Sequence, residues 1–101
     1  MIQTVNSVPQ GFHTVTPYLL IKGASDAIAF YLRVFRAQEI TRLTAPDGRI
    51  GHAEVRIGDS IIMIAEEHPE MDFLGPQSRG GTTVSLHLYV ENADDIFAKQ
   101  N

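Results

Sequence analysis

Residues 46–67, PDGRIGHAEVRIGDSIIMIAEE, decide how this chain is read. Strand side chains alternate between two faces, so Ala53, Val55 and Ile57 point one way while His52, Glu54 and Arg56 point the other. The pair Gly58-Asp59 turns the chain into SIIMIAEE, which is apolar on both faces and is expected to be the more buried strand. Upstream, PDGR is a second turn. The row His52, Glu54, Arg56 is either the wall of a site or the wet face of a sheet, and that question organises the rest of the sequence.

Working outward, AQEITRLTA (37–45) alternates Ile40 and Leu43 against polar neighbours and forms a strand before the PDGR turn. GASDAIAFYLRVF (23–35) spaces Ala27, Ile28, Tyr31, Val34 and Phe35 by three and four residues, which predicts an amphipathic helix. Ser25 is its expected N-cap, Asp26 suits the positive end, and Arg33 and Arg36 suit the negative end. VTPYLLIK (15–22) is a short strand that Pro17, lacking a donor, sends to an edge or to a special pairing site. Residues 1–14 have no period and form an irregular surface lead-in. Residues 68–83, HPEMDFLGPQSRGGTT, are rich in Gly, Pro and polar groups and form a mobile connector. VSLHLYV is expected to be a fifth strand, followed by ENADDIFAKQN, in which Asn92 can cap a helix and Asp94 and Asp95 favour its start.

The chemistry excluded by composition is broad. One domain suits 101 residues, and 44% hydrophobic with 20% charged residues is an ordinary globular mixture. A net charge of −4 without a basic run argues against a nucleic-acid partner and against an anionic membrane surface. The absence of cysteine removes disulfides, thiolate chemistry and cysteine zinc sites, and fits a cytoplasmic setting. The start lacks a basic region followed by a long apolar one, and no apolar run approaches the roughly 18 residues of a membrane span, so neither export nor insertion is expected.

The strand-then-helix order at the end of the chain repeats the order at its beginning. Laying Ser85 over Thr16 aligns SLHLYVENADDIFAK with TPYLLIKGASDAIAF without a gap, matching Leu88 to Leu19, Ala93 to Ala24, Asp95 to Asp26 and Ala98 to Ala29. The pattern suggests a duplicated βαβββ unit of which residues 15–67 are the first copy and residues 84–101 the first strand and helix start of a second.

The run VTPYLLIKGASDAIAFYLRVFRAQEI, with DGRIGHAEVRIGDSIIMIAEE and the recurring VSLHLYVENADDIFAK, resembles the vicinal oxygen chelate superfamily of glyoxalases, bleomycin-resistance proteins and extradiol dioxygenases, and within it the PhnB-like group. The resemblance implies an α+β fold in which βαβββ modules of the glyoxalase/bleomycin-resistance type pair into a curved mixed sheet, with helices outside and a cavity within. It also implies that metal ligands, where members use them, stand on the first and last strand of each module. By the gapless register these positions are Thr16, Met63 and Ser85, and none is a good ligand for a divalent transition metal. No cofactor is therefore expected. Members often dimerise and can exchange modules, so a homodimer sharing its pocket is expected as well.

On that fold the cavity should be lined by Thr16, Tyr18, His52, Glu54, Arg56, Met63, Ser85, His87 and Tyr89. Two readings of its polar groups stand side by side. In one, His52, Glu54 and His87 make a relocated two-histidine, one-carboxylate metal site, serving a metal-dependent lyase or dioxygenase. In the other, Glu54 and Arg56 pair and the histidines hydrogen-bond inside a partly wet pocket that binds a small organic molecule without metal. Tyr18 and Tyr89 can stack on a planar ligand or simply fill the rim. His13 and His68, in irregular segments with nothing nearby to orient them, are expected to be solvated, and SRGG (78–81) is expected to be a hinge.

Overall fold

A computed structural model describes residues 7–99; residues 1–6 of the lead-in and 100–101 at the chain end lie outside the described residues. Four strands, β1 (Tyr18–Ile21), β2 (Gln38–Thr44), β3 (Ile50–Ile57) and β4 (Ser60–Glu66), form one mixed sheet in the order β1-β4-β3-β2. The helix α1 (Ala24–Val34) crosses from β1 to β2, and two shorter helices, α2 (Pro76–Arg79) and α3 (Ala93–Lys99), follow the sheet. The molecule is thus α+β, with a single parallel pairing between β1 and β4 and antiparallel neighbours elsewhere.

The alternation in residues 50–66 decides the sheet. Ala53, Val55, Ile62 and Ile64 pair across β3 and β4 and point to the face covered by α1, where Ala24 and Ile28 complete the core. Leu19 and Ile21 from β1 and Tyr31 and Leu32 from α1 close its margin. β3 turns into β4 through Gly58 (φ 60°) and Asp59, a two-residue hairpin in which the first central position needs the left-handed region that glycine adopts freely. β1 is an edge strand, one of the two placements Pro17 allows, and the carbonyl of Pro17 still accepts the Met63 N–H at 3.0 Å. Two register shifts in β2, between Glu39 and Thr41 and between Leu43 and Thr44, interrupt the ladder along that edge of the sheet.

The start of α1 differs from the sequence expectation. Ser25 lies inside the helix, Gly23 occupies the N-cap position without a side-chain bond of its own, and the orphan N–H groups are met from another strand. Glu66, the last residue of β4, accepts the Gly23 N–H at 3.0 Å and the Ala24 N–H at 2.9 Å. A carboxylate satisfies two donors and complements the positive helix end, so it displaces a hydroxyl as cap.

Residues 68–83 are tied down rather than loose. The side chain of Glu67, 8% exposed, accepts the Gly75 N–H at 2.9 Å and the Ser78 hydroxyl at 2.8 Å. These bonds hold its carboxyl below the usual carboxylate range, the Gly75 amide contributing most and Lys22 adding attraction. Gly75 is seated so closely on β1 that a Cβ there would lie 2.7 Å from the Leu20 carbonyl oxygen. SRGG is accordingly the end of a helical turn: Ser78 and Arg79 belong to α2, and Arg79 bonds the Asp72 carbonyl at 3.1 Å.

The expected fifth strand is absent among the described residues: 84–90 carries no ladder, and Val84, Leu86, Tyr89 and Val90 are exposed. An alternating sequence becomes a strand only beside a free sheet edge, and neither edge of this sheet receives it. α3 does form, with Asn92 Oδ1 accepting the Asp95 N–H at 2.9 Å as a cap. Its first residue, Ala93, is the one the internal alignment lays over Ala24, the first residue of α1.

Candidate functional site

The sheet face opposite α1 carries the polar row. β1, β4, β3 and β2 bring Tyr18, Met63, Glu54 and Thr41 into one cross-strand line, with His52 and Arg56 two residues to either side of Glu54. Leu43 stands opposite His52 and Gln38 opposite Arg56. Period-two alternation fixes which residues share the face, and the parallel β1–β4 pairing decides which of them meet.

Three side chains join into a chain of hydrogen bonds. His52 Nε2 lies 3.0 Å from Glu54 Oε2, and the Tyr18 hydroxyl lies 3.3 Å from His52 Nδ1. With the carboxylate oxygen as acceptor, Nε2 is the donor to Glu54, which leaves Nδ1 facing the Tyr18 hydroxyl. The rings of Tyr18 and His52 are 5.7 Å apart at 51°. Burial falls outward along the chain: the Glu54 side chain is 18% exposed, that of His52 26%, and Tyr18 51%. The phenol oxygen is therefore the end that solvent or a ligand reaches.

Arg56 does not pair with Glu54. Its guanidinium donates instead to the side-chain carbonyl of Gln38, its cross-strand neighbour on β2. The result is a cation held by a neutral amide on the same face as the Tyr18–His52–Glu54 chain.

The lead-in roofs part of this face. Ser7, Val8, Pro9, Phe12, His13, Thr14 and Thr16 line one side of an open cleft of about 420 Å³ that also reaches Glu54 and Met63. His13 secures the roof, its Nε2 lying 2.8 Å from the Asp59 carbonyl in the β3–β4 hairpin. It was expected to be merely solvated; it is exposed but anchored, because the chain folds back over the sheet. His68 is held by Glu70, 3.2 Å from its Nδ1.

Of the expected cavity residues, Thr16, Tyr18, His52, Glu54, Arg56 and Met63 share this face or its cleft. His87 and Tyr89 stand elsewhere. They line a separate cleft of about 850 Å³ between residues 86–96, the end of α1 at Phe35 and Arg36, and the hairpin at Ile57–Ile62. Ser85 is exposed and lines neither cleft. The cause is the unformed fifth strand: without ladder bonds residues 84–90 are not held over the sheet. The alternative ligand set His52, Glu54 and His87 therefore does not assemble here, and the hydroxyl and thioether of Thr16 and Met63 do not fit a divalent transition metal. Among the described residues no three His, Cys, Asp or Glu side chains are grouped to hold a metal ion.

Sequence reasoning found the row but missed Tyr18 as its third member by contact, the roof from the lead-in, and the amide partner of Arg56. A signal existed for the first: Tyr18 had been placed on the cavity face by parity. None existed for the others, which depend on long-range closure.

Comparison with known proteins gives relatives without an assigned role. The chain is 36% identical over 88 residues to an uncharacterized protein of Mycobacterium bovis, the match covering 84% of this chain and 58% of the relative. Uncharacterized proteins of two Mycobacterium tuberculosis strains match at the same 36% identity over 88 residues, covering 52% of each. The chain thus spans about half the length of the curated relatives it matches. No protein-family profile matches the chain, and no solved structure matches it. Among the described residues no helix is long and apolar enough to cross a membrane.

Proposed function

We propose that this chain carries a module of the vicinal oxygen chelate type, in the glyoxalase/bleomycin-resistance and PhnB-like branch, and that it binds a small organic molecule on the sheet face opposite α1 without the family's metal. The supporting topology is a βαβββ order in which β1 joins β4 in parallel and β3 and β2 continue the sheet. The observation that carries the binding reading is the hydrogen-bonded chain Tyr18–His52–Glu54, part-buried beside an open cleft that reaches Glu54 and Met63. A small number of oriented polar groups in an otherwise apolar concavity is what a small-molecule site needs.

A homodimer is part of the same proposal. The exposed alternating run 84–90 suits pairing with the sheet edge of a second copy, and such pairing would bring His87 and Tyr89 to a shared pocket. The cysteine-free composition suits a cytoplasmic setting.

The test combines ligand-induced thermal shift across a panel of small aromatic and heteroaromatic compounds with metal analysis of untagged protein, each repeated on His52→Ala. The expected result is a ligand-dependent rise in melting temperature that the variant lacks, without bound metal. Stoichiometric iron, nickel or zinc that disappears in the variant would replace this reading with a metal-dependent lyase or dioxygenase. Light scattering at micromolar concentration checks the dimer, and a monomer at all concentrations would overturn that part.

A further inference from the structure

We infer that the cleft of about 850 Å³ bordered by residues 86–96 is a second binding site, and that it takes an apolar organic cation, a hydrocarbon or aromatic body carrying a protonated or quaternary amine. The inference does not depend on the site proposed on the sheet face opposite α1.

The walls of this cleft are apolar. Ile62 belongs to the core cluster and Ile57 packs against it, and both border the cleft at the hairpin end of the sheet. Phe35 joins them just past the last residue of α1, where the helix no longer covers the core face. Leu86, Leu88 and Ile96 supply the facing wall. A concavity of this size falls within the roughly 300–1,000 Å³ typical of small-molecule sites, and an apolar body leaving water for such walls is stabilised by its burial.

Charge then selects among apolar ligands. Asp59, Glu91 and Asp95 border the cleft, and Arg36 is the one Lys or Arg among the described residues that line it. Arg36 is already paired with Asp95, 3.6 Å away. The Asp59 carboxylate accepts the Ser60 hydroxyl at 3.0 Å, and among the described residues neither Asp59 nor Glu91 has an ion-pair partner. With His13 and His87 counted as neutral, the lining holds a surplus of two negative charges. An anion would meet repulsion with its only counter-charge taken, a neutral molecule would leave both carboxylates unused, and a cation is attracted by them. Asp59 and Glu91 are exposed, so that attraction is modest and sensitive to salt.

An aromatic pair adds a second preference for a cation. The rings of His87 and Tyr89 lie 5.0 Å apart, and Tyr89 is 94% exposed, so its face is open to an alkylammonium group. Pairing of residues 84–90 with a second copy would remove the facing wall, so ligand and dimer compete for that segment and ligand favours the single chain.

Three matched probes test the inference on the whole chain: 4-phenylbutylamine, a cation at pH 7, the neutral 4-phenylbutan-1-ol, and the anionic 4-phenylbutyrate. Each is titrated by ¹H–¹⁵N NMR, with light scattering in parallel. The amine is expected to shift the amide signals of Phe35, Ile57, Leu88 and Ile96 and to bind about fivefold more tightly than the alcohol, an advantage that about 0.5 M salt removes. Asp59→Asn combined with Glu91→Gln, both at exposed positions, should keep alcohol binding and lose the advantage. Tyr89→Leu, which keeps an apolar side chain and removes the ring, should weaken the amine about threefold and leave the alcohol unchanged. A butyrate that binds as tightly as the amine, an advantage that survives the double variant, or no binding by any probe would overturn the inference. Shifts confined to Tyr18, Glu54 and Met63 would overturn it as well and support the opposite face as the binding site. A dimer that buries residues 84–90 and that no probe dissociates would give this wall to the second copy instead.

Discussion

Replacing Glu66 by alanine tests how the fold starts its main helix. The side chain at the end of β4 accepts two N–H groups of α1, from Gly23 at 3.0 Å and Ala24 at 2.9 Å. The Ala24 amide belongs to a fully buried residue, so losing its acceptor leaves a desolvated donor unpaired, at about 1–2 kcal/mol. Gly23 is exposed and water replaces its lost partner, which adds little. Removing a negative charge from the positive helix end adds about 0.3–1 kcal/mol. Glu66→Ala should therefore destabilise by about 2 kcal/mol, which for a domain of this size lowers the melting temperature by roughly 8–16 °C. Glu66→Gln keeps one carbonyl acceptor but loses the second acceptor and the charge, and should cost about half as much. Urea unfolding followed by far-UV circular dichroism measures both, with Ser25→Ala as the control. Ser25 is exposed inside the helix, and its loss should stay within about 0.5 kcal/mol. If Ser25→Ala costs as much as Glu66→Ala, or if Glu66→Ala changes nothing beyond that margin, the helix is not capped from β4 and the reasoning fails.

Gly75→Ala should destabilise by about 1–3 kcal/mol in the same assay, because its Cβ would meet backbone rather than a yielding side chain; an unchanged midpoint would show that the 68–80 segment is not seated on β1. Ile64→Ala, at a fully buried core position, should cost about 2–5 kcal/mol, and a loss under 1 kcal/mol would contradict the one-sided core. Glu67 has a lowered folded pKa, so the stability it contributes is present above its unfolded value and is lost as pH falls through the folded one. Thermal scans between pH 7 and pH 3 should accordingly show a shallower acid limb in Glu67→Gln than in the parent, and identical limbs would refute the clamp.

The contrast between Glu66 and Ser25 shows where sequence reading stops. A hydroxyl near the start of a helical pattern is a local cap signal, and Ser25 supplied one; a carboxylate arriving from 43 residues away supplies none. The same holds for the row at His52. Its shared face was legible because parity along a strand is local, whereas its contact with Tyr18 needed β4 to lie between β1 and β3. Residues 84–90 make the complementary case: their pattern is that of a strand, but alternation specifies only how a strand would face, and within this chain they pair with neither edge of the sheet.

The order of residues alone settled the strand faces of β3 and β4, the Gly58-Asp59 hairpin, the course of α1 and the Asn92 cap, because each follows from neighbours within one turn or one pleat. Three-dimensional closure decided the rest: the Glu66 cap, the Glu67 clamp, the roof over Met63, and the placing of His87 and Tyr89 in a different cleft. Those features arise from contacts between segments far apart in the chain, whose relative positions are set by the packing of the whole sheet against α1 and not by any local periodicity.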